Sequence, residues 1–247
     1  MLDCSIENRV AILTINRPNR RNALCTELVH ALKGRFATLH RNDVVGAIVL
    51  TGAAPSFCAG SDLKELGTMD VPGMVAHEAH TASMARLIGL LDVPVIAAVE
   101  GHALGGGFIL ATSCDLVVTA EGANWSLPEV PNGWVPPWGL KSLTGRVSAA
   151  TARRIVWGFE SFSGQAAVDL GIADYVSTTG QALAMATQIA ERLAALPRAA
   201  VRSTKRFFQA DMLGQAEVWD FQAGHAFAEN CTHPPAIETL KRFAIRT

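Results

Sequence analysis

Apolar residues follow two rhythms along this chain, continuous runs of strand length and helical spacings of three to four. The first run is RVAILTIN (9–16), closed by Arg17-Pro18 because proline cannot donate to a sheet. Leu24, Leu28, Leu32, Phe36 and Leu39 then recur at helical spacing and predict a helix to about His40, with Asn22 or Thr26 as its cap. VGAIVLTG (45–52) is apolar almost throughout, as befits a strand covered on both faces. A loop over Pro55-Ser56-Phe57-Cys58-Ala59-Gly60 leads into a helix opening at Ser61-Asp62-Leu63-Lys64-Glu65-Leu66.

The pattern is sharpest over PVIAAVEGHALGGGFILATSCDL (94–116), which reads as a buried strand, a glycine turn, and a helix from Gly105 to about Ser113. The first amides of such a helix have no intrahelical partner, and the helix dipole is positive there. A developing oxyanion suits this site, and so does a phosphate. Gly101-x-x-x-Gly105-Gly106-Gly107 fits neither standard nucleotide-loop spacing. Glu121, after a second strand, stands about where a ribose-binding acid would, and it leaves a dinucleotide as the competing reading.

Between Gly67 and Pro94 a Met-, His- and Ala-rich segment, broken by Pro72-Gly73, reads as helices lying over a site. A strand over 115–120 leads into an ordered apolar loop over 124–131. From Leu140 the pattern is helical, apart from a short ADYV strand, with turns at Gly158, Gly164, Gly171, Gly180, Pro197, Gly214 and Pro234-Pro235. Trp219, Phe221, Phe227, Leu240 and Phe243 give the last helices more large apolar groups than an edge needs, as packing on another subunit would require.

Composition narrows the classes. With 49% hydrophobic and 17% charged residues, 247 residues suit one large core. A net charge of −1 with no basic run points away from nucleic acid and from anionic membranes. Five scattered cysteines, an odd number without CxxC spacing, predict free thiols in a reducing compartment. Asp3 and Glu7 stand where a signal peptide would be basic and then apolar, so a cytoplasmic location is expected. His77-Glu78-Ala79-His80 places its histidines at i, i+3 rather than the i, i+4 of a metalloprotease pair, and no metal is expected.

Four blocks carry a resemblance: RPNRRNAL (17–24), SFCAGSDLKEL (56–66), GHALGGGFILATSCDL (101–116) and SLPEV (126–130). In this order and spacing the chain resembles the crotonase superfamily, the enoyl-CoA hydratase and isomerase group, from about residue 5 to 195. The resemblance implies an α/β fold, a spiral of ββα units over 1–195, with C-terminal helices over 196–247 for oligomerisation and site closure. It further implies an acyl-CoA thioester as substrate, no cofactor beyond the coenzyme A of that substrate, and a homotrimer or dimer of trimers.

Carried over by position, the backbone N–H groups of Ser61 and Gly106 bind the thioester oxygen. Two helix starts aimed at one oxygen would stabilise an enolate, and losing one such donor typically costs about 3 kcal/mol. Glu129 matches the catalytic glutamate. It stands among Trp125, Leu127, Pro128, Val130, Pro131 and Trp134, where desolvation favours its protonated form. By the same analogy Arg20 and Arg21 meet the coenzyme A phosphates, Ala23, Ala59 and Leu63 line the path, and Asp62 and Gly105 belong to the binding set. Lys241 or Phe227 would close the path from the C-terminal helices.

One position departs from the family. Hydratases of this group carry a second glutamate three residues after the middle glycine, on the same helix face, and here that residue is Ile109. A single carboxylate suits a proton shuttle, so enoyl-CoA isomerisation is expected first and hydration second. A non-catalytic acyl-CoA binder is the alternative of another class. Trp134 and Trp138, in a loop where relatives are glycine-rich, are candidates to shape the acyl pocket or simply to fill the core. No Asp occurs between Glu129 and Val168, and Tyr175 is the only tyrosine, which disfavours Asp- and Tyr-dependent relatives.

Overall fold

A computed structural model of the chain describes residues 1–245. Strands β1 (Leu2–Glu7) and β2 (Val10–Ile15) form an antiparallel hairpin. Its turn residues, Asn8 and Arg9, have φ of 47° and 66°, the twist a two-residue hairpin requires. β1 escaped the sequence reading because Asp3, Ser5 and Glu7 alternate with Leu2, Cys4 and Ile6 and leave no continuous apolar run, as on an edge strand.

Helix α1 (Thr26–His40) begins after Cys25, and no side chain caps it. Neither expected cap serves. Asn22 is buried, its amide donating to the carbonyls of Ala53 (2.7 Å) and Ser56 (2.6 Å), while Thr26 Oγ1 meets Nδ1 of His77 at 3.1 Å. After β3 (Ala47–Gly52) and the short helix α2 (Leu63–Leu66) comes α3 (Val71–Leu90), one helix of 20 residues. Pro72 lies in its first turn, where a missing N–H breaks nothing, so the predicted interruption is a start.

β4 (Val95–Val99) is wholly buried, and β5 (His102–Leu104) leads to α4 (Gly106–Thr112) and β6 (Leu116–Ala120). β7 (Asn124–Ser126) and α5 (Glu129–Asn132) occupy the stretch expected to be a loop. Then follow α6 (Leu140–Thr144), α7 (Ala149–Val156), β8 (Phe162–Ser163), α8 (Gly164–Asp169), β9 (Tyr175–Ser177) and α9 (Ala182–Ala194). Three helices end the chain, α10 (Arg198–Leu213), α11 (Ala216–Asn230) and α12 (Pro234–Ile245).

The main sheet has the order β1-β2-β3-β4-β6-β9, parallel except for the hairpin, and a smaller sheet has the order β5-β7-β8. α9 lies on β3, β4 and β6 through Ala182, Ala186, Ala190 and Ala194, a stripe small enough for close approach. A second, smaller core joins Leu66, Met74, Trp134, Phe227, Cys231 and Ala236. This cluster seats α11 and α12 over α2, α3 and the end of α5, around the same space that the glycine turns enclose.

Candidate active site

Two glycine turns meet here. The loop over 56–61 runs beside β5: Cys58 N–H donates to His102 O and Leu104 N–H donates to Cys58 O, both at 3.0 Å. On its other side Leu24 N–H donates to Gly60 O (2.8 Å) and Asp62 N–H to Leu24 O (3.0 Å). The amide between them, Ser61 N–H, has no partner among the described residues. Gly106 N–H, at the first turn of α4, has none either.

The turns touch closely enough to need glycine. A Cβ on Gly60 would lie 3.0 Å from Gly106 N, and Gly60 has φ +85°. A Cβ on Gly107 would lie 2.1 Å from Cys58 O, so bare backbone is what lets α4 press against the 56–61 loop. Ser61 and Gly106 thus line one small pocket together with Glu129, Ile109, Glu78 and Trp138.

Glu129 opens α5 directly after Pro128 and is 8% exposed. Its Oε2 is buried with no hydrogen-bond partner among the described residues. Burial raises its pKa from 4.5 to about 8, with the nearby Glu78 adding to the rise and a backbone hydrogen bond opposing it. At pH 7 its carboxyl therefore favours the protonated form.

Ile109, 1% exposed, turns toward the pocket from the third position after Gly106, with its methyl Cγ2 packed against Gly139. The pocket nevertheless holds a second acid, which corrects the expectation of a single carboxylate. Glu78 of α3 is 3% exposed and accepts from Ser61 Oγ and from Trp138 Nε1, each at 2.7 Å. Burial raises its pKa too; His77, Ser61 and Trp138 oppose the rise. The missed signal was periodicity, since Met74, Glu78, Thr81 or Ala82, Ala85 and Ile88 share one buried face of α3.

The sequence model of the enoyl-CoA hydratase/isomerase family matches residues 5–243. The chain belongs to this family, within the crotonase superfamily. It is 34% identical to the 2,3-dehydroadipyl-CoA hydratase of Escherichia coli (strain K12), across 90% of this chain and 85% of that protein. It is 31% identical to the short-chain-enoyl-CoA hydratase of Clostridium acetobutylicum, across 81% and 77%. Among solved structures, an enoyl-CoA hydratase/isomerase from Mycobacterium paratuberculosis superimposes with a TM-score of 0.90 at 26% identity, covering 98% of this chain and 97% of that one.

As a member of the enoyl-CoA hydratase/isomerase family the chain is an enzyme, and both the dinucleotide reading and the non-catalytic binder fall away. Glu121 lies in a turn and donates its N–H to Ser177 O. Of the expected binding set, Ala59, Leu63, Gly105 and Trp134 line the pocket. Ala23 is buried beside Leu24. Asp62 is not in the lining: it caps α2 and pairs with Arg17 at 3.0 Å, so its work is to hold the turn.

Arg20 and Arg21 are exposed, and the carbonyl of Arg21 accepts from Ala59 N–H, which places their segment at the rim. Phe227 is buried edge-on against Trp134, ring centroids 6.2 Å apart, and belongs to the second core; Lys241 is exposed on α12. No helix among the described residues is long and apolar enough to cross a membrane.

Proposed function

We propose that this enzyme isomerises 3-enoyl-CoA to 2-enoyl-CoA through a thioester enolate. In this reading Ser61 N–H and Gly106 N–H donate to the thioester oxygen, and Glu129 carries the proton. The ionised carboxylate takes a proton from C2, negative charge gathers on the oxygen between the two amides, and the carboxyl returns the proton at C4. Preorganised donors in a site closed to water stabilise that charge more than water does. The observation that supports isomerisation over hydration is Ile109, which puts hydrocarbon where a water-holding carboxylate would otherwise project.

A specific observation also favours hydration as the second reading. Glu78 shares the pocket with Glu129, and the named relatives above are hydratases. Product analysis separates the two. Purified protein is incubated with a 3-enoyl-CoA and, separately, with a 2-enoyl-CoA; interconversion of the two supports isomerisation, and rapid 3-hydroxyacyl-CoA formation overturns it.

The same proposal extends to assembly and location. Phe207 and Val218 stand exposed on α10 and α11, which supports a homotrimer or dimer of trimers. Five free cysteines support a reducing compartment such as the cytoplasm.

A further inference from the structure

Trp138 and Glu78 wall the candidate pocket on one side, and larger spaces lie beyond them. The pocket holding Ser61, Gly106 and Glu129 has only about 50 Å³ of free space. A chamber of about 770 Å³ opens between α3, α6 and α10, with Ala82, Ala85, Phe208, Met212 and Leu213 among its walls. A third cavity, about 260 Å³, lies between α3 and α11. Trp138 borders both the catalytic pocket and the 770 Å³ chamber, whereas Glu78 borders both the catalytic pocket and the third cavity.

These two residues are latched together. The indole Nε1 of Trp138 donates to Oε2 of Glu78 at 2.7 Å, a bond assisted by charge when that acid is ionised. The same edge of the indole reaches the turn at Gly106, its Cζ2 lying 3.1 Å from where a Cβ on Gly106 would be. Backbone on both sides holds the ring in place. Pro136 and Pro137 precede it with fixed φ, and Gly139 after it donates its N–H to Asp220 at 2.8 Å. Trp138 is 2% exposed.

The chamber suits hydrocarbon. Two of its cationic side chains are already matched by acids, Lys205 by Asp115 at 2.6 Å and Arg86 by Asp220. Its volume falls in the range of ordinary ligand sites, roughly 300–1,000 Å³, which the catalytic pocket does not reach.

We propose that Trp138, latched to Glu78, closes the acyl end of the site and restricts this enzyme to short-chain acyl-CoA substrates. The inference rests on the acyl-CoA reading above. It adds that the ring, rather than a lack of room in the protein, sets the chain-length limit. Removing the indole joins the catalytic pocket to the chamber, so an acyl tail several carbons longer can leave the oxyanion site in an extended form.

The test is calorimetric binding of two saturated thioesters, butanoyl-CoA and dodecanoyl-CoA, to the full-length protein and to its Trp138→Ala and Trp138→Leu variants. Saturated thioesters cannot isomerise or hydrate, so the result is independent of which reaction the site performs. In the parent the dodecanoyl thioester is expected to bind at least about tenfold more weakly than the butanoyl thioester. In either variant the ratio of the two dissociation constants should shift by about tenfold or more toward the long chain. Equal binding of both thioesters by the parent overturns the proposal even if neither variant folds, and so does an unchanged ratio in a folded variant. Binding of neither thioester by the parent overturns the acyl-CoA reading as well.

Discussion

A Cβ placed on Gly105 would lie 2.6 Å from Oε1 of Glu129. The buried acid is therefore in contact with the turn that precedes Gly106. Gly105 also has φ +53°, which side chains rarely adopt. Gly105→Ala should displace the carboxyl and strain the turn together. We expect turnover to fall by about 10²-fold, the usual consequence of misplacing a reacting group by about 1 Å. Steady-state kinetics on a folded variant checks this; unaltered kcat would mean that Glu129 acts from elsewhere.

The raised pKa of Glu129 fixes a pH dependence. A base must first lose its proton, so kcat/KM should rise with pH and level off above an apparent pKa of about 8. Glu129→Gln should remove that limb.

Stability should run the other way. Between about 4.5, the unfolded value, and about 8, the folded carboxyl holds a proton that the unfolded chain releases. The native state is thus favoured fully below that window and loses stability as pH rises through it. The loss is at most on the order of 5 kcal/mol and is absent in Glu129→Gln. Urea unfolding of both proteins at pH 5 and pH 8 measures it, and parallel behaviour would contradict the burial argument.

Ser61 has two separable jobs. Its backbone N–H has no partner among the described residues, while its hydroxyl donates to the buried Oε1 of Glu78 at 2.7 Å. Ser61→Ala keeps the amide and strips the hydroxyl, leaving a buried carboxylate oxygen short of a donor. The expected cost is about 1–3 kcal/mol of unfolding free energy. Turnover should drop far less than the roughly 10³-fold expected for Glu129→Gln. Equal losses in the two variants would show that the side chain of Ser61, and not its main chain, does the chemistry.

Ile109 should decide between the outcomes of one enolate. Ile109→Glu adds a carboxylate from α4 to the pocket that already holds Glu129 and Glu78, and the ratio of hydration to isomerisation is expected to rise. Chromatography of the acyl-CoA products gives the ratio directly. An unchanged ratio would remove Ile109 from the substrate's surroundings, although it lines the pocket.

Much of this arrangement was legible in the residues, for identifiable reasons. The strand, glycine turn and helix at 94–116 announce themselves because a parallel strand buried on both faces is continuously apolar and the turn after it needs residues without Cβ. Glu129 was visible because SLPEV matches the family's catalytic-glutamate block; apolar neighbours alone do not separate it from a solvated loop acid. Glu78 was not, since a carboxylate amid His77, Ala79 and His80 looks solvated until the helix is built and its face turns inward. β1 was hidden by its alternating polar residues, and Asp62 was read as a binding residue because a capping acid and a ligand acid look alike in one dimension. The wall made by Trp138 depends on a contact 60 positions away, which periodicity cannot reveal.

The central claim is that Glu129 moves a proton at the carbon beside a carbonyl held by Ser61 and Gly106. It is tested most directly by following the C2 protons of butanoyl-CoA in deuterium oxide by NMR, with the parent enzyme and with Glu129→Gln. The expected result is enzyme-dependent exchange at C2 that slows by about 10³-fold in the variant while binding persists. Exchange at equal rates in both proteins, or none in the parent despite binding, would contradict it.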